Sequence, residues 1–514
     1  MTRQPSAARN LLAGTIAKYA LLAISIGTGI FLMPFTVRHL GKAQYGLWML
    51  VASVTYYFSL LDLGYGNGVV RHIVEADARG DARAMNRVVS TFVCVYAAIG
   101  VAACVVCALV ILYALPRFPN LSPSDVRTAQ IVLAVLGARI AIGYPMTVFG
   151  AVTNARQGFV LNNSIAIAVV VLNAVVTYAV LAAGGGLIAL VSMTAAVSAT
   201  GYIGYAWSAW HVFPELEIRP RHFSRQDWRE VSAFSMYLFV IGLGSQISFN
   251  VDNLVVGAYL GTAAVAVYVV AARVAEYQRR VCDQFSGMLF PVVVGFGARG
   301  DRDGLRAALL DGTRVSVLLV VGVTTCLVGF AQPLIAHWMG AGFEGSVASF
   351  YVLAFVGVLM VSHAAQSNIL LATGGHRLVA LIWIVEAMAN LALSLILVRR
   401  YGAVGVALGT AIPMTIGHVF VMTPAACRRV DLAIGHYLAQ TVAPALASAG
   451  PAIVCAAALR SFLPPLTTTM VLVEAAATGA LYAFTVLAAG LDRSTRRLYI
   501  DQVVGALRAV TVAP

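Results

Sequence analysis

One feature constrains this chain above all others. Apolar runs follow one another almost without interruption from about residue 10 to about residue 490. A hydrocarbon core about 30 Å thick is crossed by about 20 helical residues. On that scale the sequence predicts fourteen spans. They lie at approximately 10–36, 45–70, 88–113, 128–151, 161–182, 187–210, 231–257, 264–292, 313–333, 348–371, 378–398, 403–423, 439–459 and 467–490. Turn signals separate them, among them Pro116 to Pro123, Gly184-Gly185-Gly186, Gly374-Gly375 and Pro464-Pro465. Sixty per cent of the residues are apolar and 11 % are charged, where a soluble domain carries about 25 % charged. One soluble core could not hide so much apolar surface, so the bilayer is the expected solvent. The expected fold class is all-α, a polytopic membrane protein of about 14 transmembrane helices.

An even number of spans places both ends on one side of the membrane. Loops on the side of the termini hold 22 Lys and Arg, and the opposite loops hold 7. The other five of the 34 (Lys18, Arg139, Arg273, Arg279 and Arg280) fall inside spans. The positive-inside rule then puts both termini in the cytoplasm. The formal charge of +13 reads as an orientation signal and a contact to anionic lipid, with no nucleic-acid partner. Only Lys18 and Lys42 are Lys, and the chain is rich in Ala and Arg. That composition points to a GC-rich bacterial genome, and so to a bacterial inner membrane. The first apolar run passes directly into the next spans, so no cleavable signal peptide is expected. Cys104 and Cys107 form a C-x-x-C inside an apolar span without a second pair. They read as inert membrane cysteines, and neither metal nor cofactor is expected.

The chain also repeats itself. At a shift of 220 residues, Ala78-Arg79-Gly80-Asp81 falls on Ala298-Arg299-Gly300-Asp301, Leu40-Gly41 on Leu260-Gly261, Ala43 on Ala263 and Thr153 on Thr373. At a shift of 218, Ala189-Leu190 falls on Ala407-Leu408. These matches occupy equivalent topological places. They predict two pseudo-symmetric six-helix bundles, 1–215 and 216–430, followed by two additional helices and a cytoplasmic tail over 431–514. Six is even, so both bundles enter from the same side and the repeat is parallel. Transporters of that kind hold substrate between the halves and rock one against the other.

Ionisable residues inside spans are expensive and point to function. Span 8 carries Arg273, Glu276, Arg280 and Asp283 on one helical face, with Arg279 beside it. Internal pairing that stiffens the helix is one reading of Glu276, Arg280 and Asp283, and a coupling or gating role is the other. Arg273 lies deeper, where a cavity role is favoured. Span 7 presents Gln246, Asn250 and Asn253 on one face beside Ser245, Ser248 and Asp252. Asp252 reads as a partner for Arg273 or a proton site, and interhelical hydrogen bonding accounts for the same pattern. Lys18 lies a third of the way into span 1 and either snorkels to the interface or lines a cavity. Arg139 is near the middle of span 4, too deep to snorkel easily. In span 2, Tyr56 and Tyr57 precede Asp62, and aromatic rings beside polar groups suit sugar faces. Glu386 in span 11 and Glu474 in span 14 stand as lone acids. The glycines of Gly64-Tyr65-Gly66-Asn67-Gly68 suit a helix end that unwinds; no strand precedes them, so they are not a nucleotide fingerprint.

There is no G-x-x-x-x-G-K-[ST] and no H-E-x-x-H. The longest non-cytoplasmic loops are about 14 residues, too short to house a catalytic domain. Transport is expected rather than enzyme activity. Leu40-Gly41 followed by Tyr45-Gly46-Leu47-Trp48, and Leu61-Asp62-Leu63-Gly64 followed by Gly68-Val69-Val70-Arg71, together with two six-helix bundles and two extra helices, resemble the polysaccharide flippases. These are the Wzx-type exporters of the multidrug/oligosaccharidyl-lipid/polysaccharide superfamily. The resemblance covers nearly the whole chain.

The resemblance implies a flippase that moves an undecaprenyl-diphosphate-linked oligosaccharide from the cytoplasmic to the periplasmic leaflet, for surface polysaccharide synthesis. The headgroup would cross a cationic cavity by alternating access, with an ion gradient as the drive. Carried onto this sequence, the cavity cations are Lys18, Arg139 and Arg273, with Tyr56, Gln246 and Asn250 as further substrate contacts. Asp62 and Asp252, with Glu276, Arg280 and Asp283, are the coupling or gating candidates. Expected partners are the lipid-linked oligosaccharide, membrane lipids, a polysaccharide polymerase and a chain-length regulator. Rival readings are a lipid II flippase, whose first helices would carry more basic residues, and a drug/cation antiporter of the same superfamily, with fewer spans and an acid-lined cavity. A membrane ligase or polymerase is disfavoured by the missing outer loop. A scaffold would give the buried charges no purpose.

Overall fold

Backbone groups in hydrocarbon have no water to bond, so a spanning chain must satisfy them itself. The computed structural model describes residues 4–58, 62 and 65–490; the side chains of 4–12, 67, 233–250, 284–288 and 489–490 lie outside the described residues. Among the described residues the regular structure is helical and there is no strand. The chain divides into two compact units, Met1–Val269 with Val398–Val406, and Val270–Leu397 with Ala407–Pro514.

The first unit holds α1 (Gln4–Phe58), α2 (Tyr65–Ala78), α3 (Ala82–Leu109), α4 (Pro123–Ala155), α5 (Phe159–Ala182), α6 (Leu187–Val212), α7 (Arg225–Leu260) and the start of α8 (Thr262–Arg299). α1 lies along α5, while α4 packs against both α3 and α6. Val88, Val89, Phe92 and Tyr96 on α3 recur at helical spacing and bury against Val148 and Val152 of α4 and Val69 and Ile73 of α2. Gly46 lets α1 meet α8 backbone to backbone, since a Cβ there would stand 1.8 Å from the Thr262 carbonyl oxygen.

The second unit continues α8 and adds α9 (Arg302–Gly329), α10 (Ala331–Met339), α11 (Ser346–Ser362), α12 (Ala364–Ala372), α13 (His376–Thr415), a wide π-type turn over Ile416–Met422, α14 (Thr423–Arg429), α15 (Ile434–Thr441), α16 (Ala443–Phe462) and α17 (Thr468–Thr485). α9 is its hub, and α11, α12, α15, α16 and α17 all pack on it. α16 turns Ala445, Ala449, Ala452 and Ala456 inward, each at most 3 % exposed, and leaves Leu446, Ile453 and Val454 outside. Small residues on the inner face let helices approach closely where lipid tails compete for apolar contact. Tyr482 of α17 donates to the Leu318 carbonyl at 2.8 Å, so the last helices are built into this unit.

Among the described residues, ten helical stretches are long and apolar enough to cross a membrane. Two of them, Ala13–Phe58 and His376–Arg429, each contain two helices joined at a glycine, Gly41 and Gly402. With α7 and α8 this accommodates the fourteen expected spans. The chain is a multi-pass all-α membrane protein. The internal repeat is visible in the backbone: Gly41 (φ 77, ψ 162) and Gly261 (φ 83, ψ 172) share one conformation that is essentially open to glycine alone.

Candidate functional site

In the first unit the chain leaves the helix at Phe58 and resumes it at Tyr65, with Asp62 in the break. A broken helix at membrane depth frees backbone groups that side chains must satisfy. The Tyr144 hydroxyl donates to the Phe58 carbonyl, and the Tyr96 hydroxyl donates to the Asp62 carboxylate. The Gly66 N–H also bonds Asp62. The two tyrosine rings stack at 6.1 Å and 9°, and Tyr65 meets Tyr96 edge-on at 6.2 Å. The break is therefore a held structure lined with aromatic rings.

Arg139 stands sixteen residues from the Pro123 end of α4 and sixteen from the Ala155 end. At about 1.5 Å per residue it lies about 24 Å along the helix from either end. Its Nη1 donates to Ser198 Oγ of α6 at 3.4 Å, and its main-chain carbonyl accepts from the Tyr202 hydroxyl at 3.2 Å. Among the described residues no carboxylate pairs with it. Lys18 and Tyr56 are both exposed on α1, Tyr56 by 51 %. Asp252 on α7 is buried and accepts from the Tyr268 hydroxyl at 2.6 Å. Beside it, Asn253 Nδ2 donates to Ser53 Oγ at 2.8 Å, tying α7 to α1. The side chains of Gln246 and Asn250 lie outside the described residues.

In the second unit Glu276 joins two guanidiniums, Arg273 at 2.6 Å and Arg280 at 2.5 Å. Arg279 pairs with Asp283 at 3.7 Å. Three guanidiniums against two carboxylates leave this stretch of α8 with one excess positive charge. Glu386 has a partner the sequence did not suggest. His418 Nε2, from the wide turn after α13, lies 3.6 Å from its Oε2.

Several loop arginines also tie each unit together. In the first, Arg87 meets Asp227 and Arg156 meets Asp77, both at 2.8 Å. In the second, Arg302 meets Asp431 at 2.9 Å and Arg429 donates to the Thr373 carbonyl at 2.7 Å. The tyrosines around Asp62 and Asp252 escaped the sequence reading. Tyr96 and Tyr268 stand 34 and 16 residues beyond the acids they bond. No helical period connects such positions, and Tyr is common in membrane helices.

A family model described as "Polysaccharide biosynthesis protein" matches residues 11–295, more than half of the chain. The chain is 23 % identical over 358 residues to the uncharacterized membrane protein EpsK of Bacillus subtilis, covering 68 % of each protein. It is also 23 % identical over 198 residues to the probable low-salt glycan biosynthesis flippase Agl15 of Haloferax volcanii, covering 38 % of this chain and 42 % of that one. Among solved structures, the lipid II flippase MurJ in an inward closed conformation superposes with a TM-score of 0.72 at 15 % identity, over 96 % of this chain and 100 % of that one. At that identity the likeness is one of fold.

Proposed function

The chain belongs to the polysaccharide biosynthesis protein family, and from that premise we propose that it is a flippase for a lipid-linked oligosaccharide. The substrate class is an undecaprenyl-diphosphate-linked oligosaccharide, moved from the cytoplasmic to the periplasmic leaflet of a bacterial inner membrane for surface polysaccharide synthesis. The observation that carries the reading is Arg139, a guanidinium at the midpoint of a span-length helix with no carboxylate partner among the described residues. A charge at that depth is expensive and is retained where an anion or water meets it. A diphosphate offers oxygens that a guanidinium fork takes in pairs. Lys18 would meet the same headgroup, and the exposed ring of Tyr56 would meet the sugar.

The name of the Haloferax volcanii relative, a probable glycan biosynthesis flippase, supports this reading. Movement would follow alternating access of the two repeated bundles, with both termini in the cytoplasm. The work is transport, and no bond of the substrate is made or broken.

A deletion strain tests the proposal. Surface polysaccharide is expected to disappear while lipid-linked repeat units accumulate on the cytoplasmic face of the inner membrane. An unchanged polymer with new drug sensitivity would overturn it in favour of an antiporter. An arrest of peptidoglycan synthesis with accumulated lipid II would favour a lipid II flippase.

A further inference from the structure

Three residues far apart in the chain meet inside the second unit. Glu386 comes from α13, His418 from the wide turn over Ile416–Met422, and His363 from the break between α11 and α12. The His418 and Glu386 side chains are 3 % and 4 % exposed. The His363 and His418 rings lie 5.0 Å apart, and Trp383 meets His418 edge-on at 5.8 Å. Neither carboxylate oxygen of Glu386 and neither ring nitrogen of His418 makes a hydrogen bond among the described residues.

Two departures from regular helix bring the imidazoles here. His363 itself, at φ -96 and ψ 2, forms the break between α11 and α12, and His418 lies in the π-type turn. Irregular backbone at membrane depth survives where it is buried in protein or lines a cavity, and π segments recur at functional sites. Gly417 makes room, since a Cβ there would stand 2.0 Å from Glu386 Oε1. A cavity of about 320 Å³ is lined by His363, His418, Trp383 and Asp283. Asp283 is 46 % exposed, so one cavity runs from an accessible carboxylate to the buried pair.

A buried carboxylate without a counter-charge costs several kcal/mol. No Lys or Arg lines the cavity. Among the described residues no group of three His, Cys, Asp or Glu side chains is placed to hold a metal ion. The counter-charge left is a proton. We propose that Glu386, His418 and His363 form a proton-binding site, filled and emptied through the cavity past Asp283. One proton is held by the Glu386–His418 pair, on the carboxyl oxygen or on the imidazole, and either arrangement leaves the pair neutral. On release it passes to His363 and then to water in the cavity, leaving Glu386 negative beside a neutral imidazole. Uptake is the reverse.

His363 is prepared for a passing charge. Its Nδ1 lies 2.7 Å from the Leu359 carbonyl, and its Nε2 lies 3.1 Å from Thr423 Oγ1. That hydroxyl also lies 3.0 Å from the His418 carbonyl. With the ring neutral, Nε2 and the carbonyl compete for one hydroxyl proton; with the ring charged, every group is satisfied. The other titratable group on the cavity is Asp283, paired with Arg279. That the site drives transport rests on the flippase reading, while its binding of a proton does not.

Trp383 reports the site, because a charged imidazole beside an indole quenches its fluorescence. The full-length protein in liposomes is titrated across roughly pH 4 to 9, the range in which an imidazole responds to its surroundings. The difference between wild type and Trp383→Phe isolates the one indole. A quenching transition is expected on acidification. It should vanish in His418→Gln, shift to lower pH in Glu386→Gln, and return toward wild type in Glu386→Asp. A flat Trp383 signal, or a transition indifferent to both His418→Gln and Glu386→Gln, overturns the site. In the complemented deletion strain, Glu386→Gln is expected to abolish export and Glu386→Asp to retain part of it. If Glu386→Gln exports normally where the deletion strain does not, the driving role fails and the flippase reading stands. If the deletion strain itself exports normally, the flippase reading and the driving role both fail, and the site is judged on the titration alone.

Discussion

Asp81 and Asp301, 220 residues apart in the sequence, close the first turns of α3 and α9 with the same bond. Asp81 Oδ1 accepts from the Ala84 N–H at 2.9 Å, and Asp301 Oδ1 accepts from the Gly304 N–H at 2.8 Å. Each follows a glycine with positive φ, 67° at Gly80 and 66° at Gly300. Two repeats have kept one helix start. Removing such a cap costs about 1 kcal/mol, within a range of roughly 0.5–2. Asp81→Ala and Asp301→Ala are therefore expected to lower the unfolding midpoint by similar amounts, with most of the loss recovered by Ser at either position. A large loss at one position and none at the other would contradict an equivalent role.

Tyr96 and Asp62 separate stability from function. Tyr96→Phe removes the donor and leaves a partly buried carboxylate short of a partner, at a cost of about 1–3 kcal/mol. Asp62→Asn keeps an acceptor for the hydroxyl. Its unfolding midpoint is expected to stay close to wild type while export of surface polysaccharide is lost. Normal export from a stable Asp62→Asn protein would make Asp62 a structural part of the break alone.

Arg139 is expected to matter as a charge and as a fork. Arg139→Met should abolish export at unchanged protein level, because no carboxylate is left stranded by the loss of the guanidinium. Arg139→Lys keeps a point charge without the paired donors and should export at an intermediate level. Ser198→Ala removes only a 3.4 Å contact and is expected to leave export intact. Surface polymer measured beside membrane protein level distinguishes these outcomes.

Gly46 and Gly41 should both resist substitution, for different reasons. Gly46→Ala drives a methyl to 1.8 Å from the Thr262 carbonyl oxygen, so α1 and α8 must separate. Gly41→Ala meets open space but strains a conformation that costs about 1–3 kcal/mol for any other residue. Gly41→Ala is expected to lower the unfolding midpoint moderately, and Gly46→Ala to deplete folded protein from the membrane. Gly261→Ala should match Gly41→Ala.

The spans, the repeat and the places where long helices turn were legible in the residues alone. Apolar length sets a span, and a glycine such as Gly41 or Gly402 marks a bend that other residues cannot adopt. Helix formation in hydrocarbon is a local obligation, because each N–H must find a carbonyl four residues away. Hydropathy and turn chemistry report that obligation directly. The partners of the intramembrane charges are a different matter. Arg273, Glu276 and Arg280 share one helix, so spacing brought them within reach of each other, and they pair. Glu386 read as a lone acid, yet His418, 32 residues later, lies against it. Asp62 gave no hint of Tyr96, nor Asp252 of Tyr268. Such meetings depend on which faces of separate helices are packed together, and on local breaks such as those at His363 and Ile416–Met422. Periodicity says which residues share a face; only packing decides what that face touches.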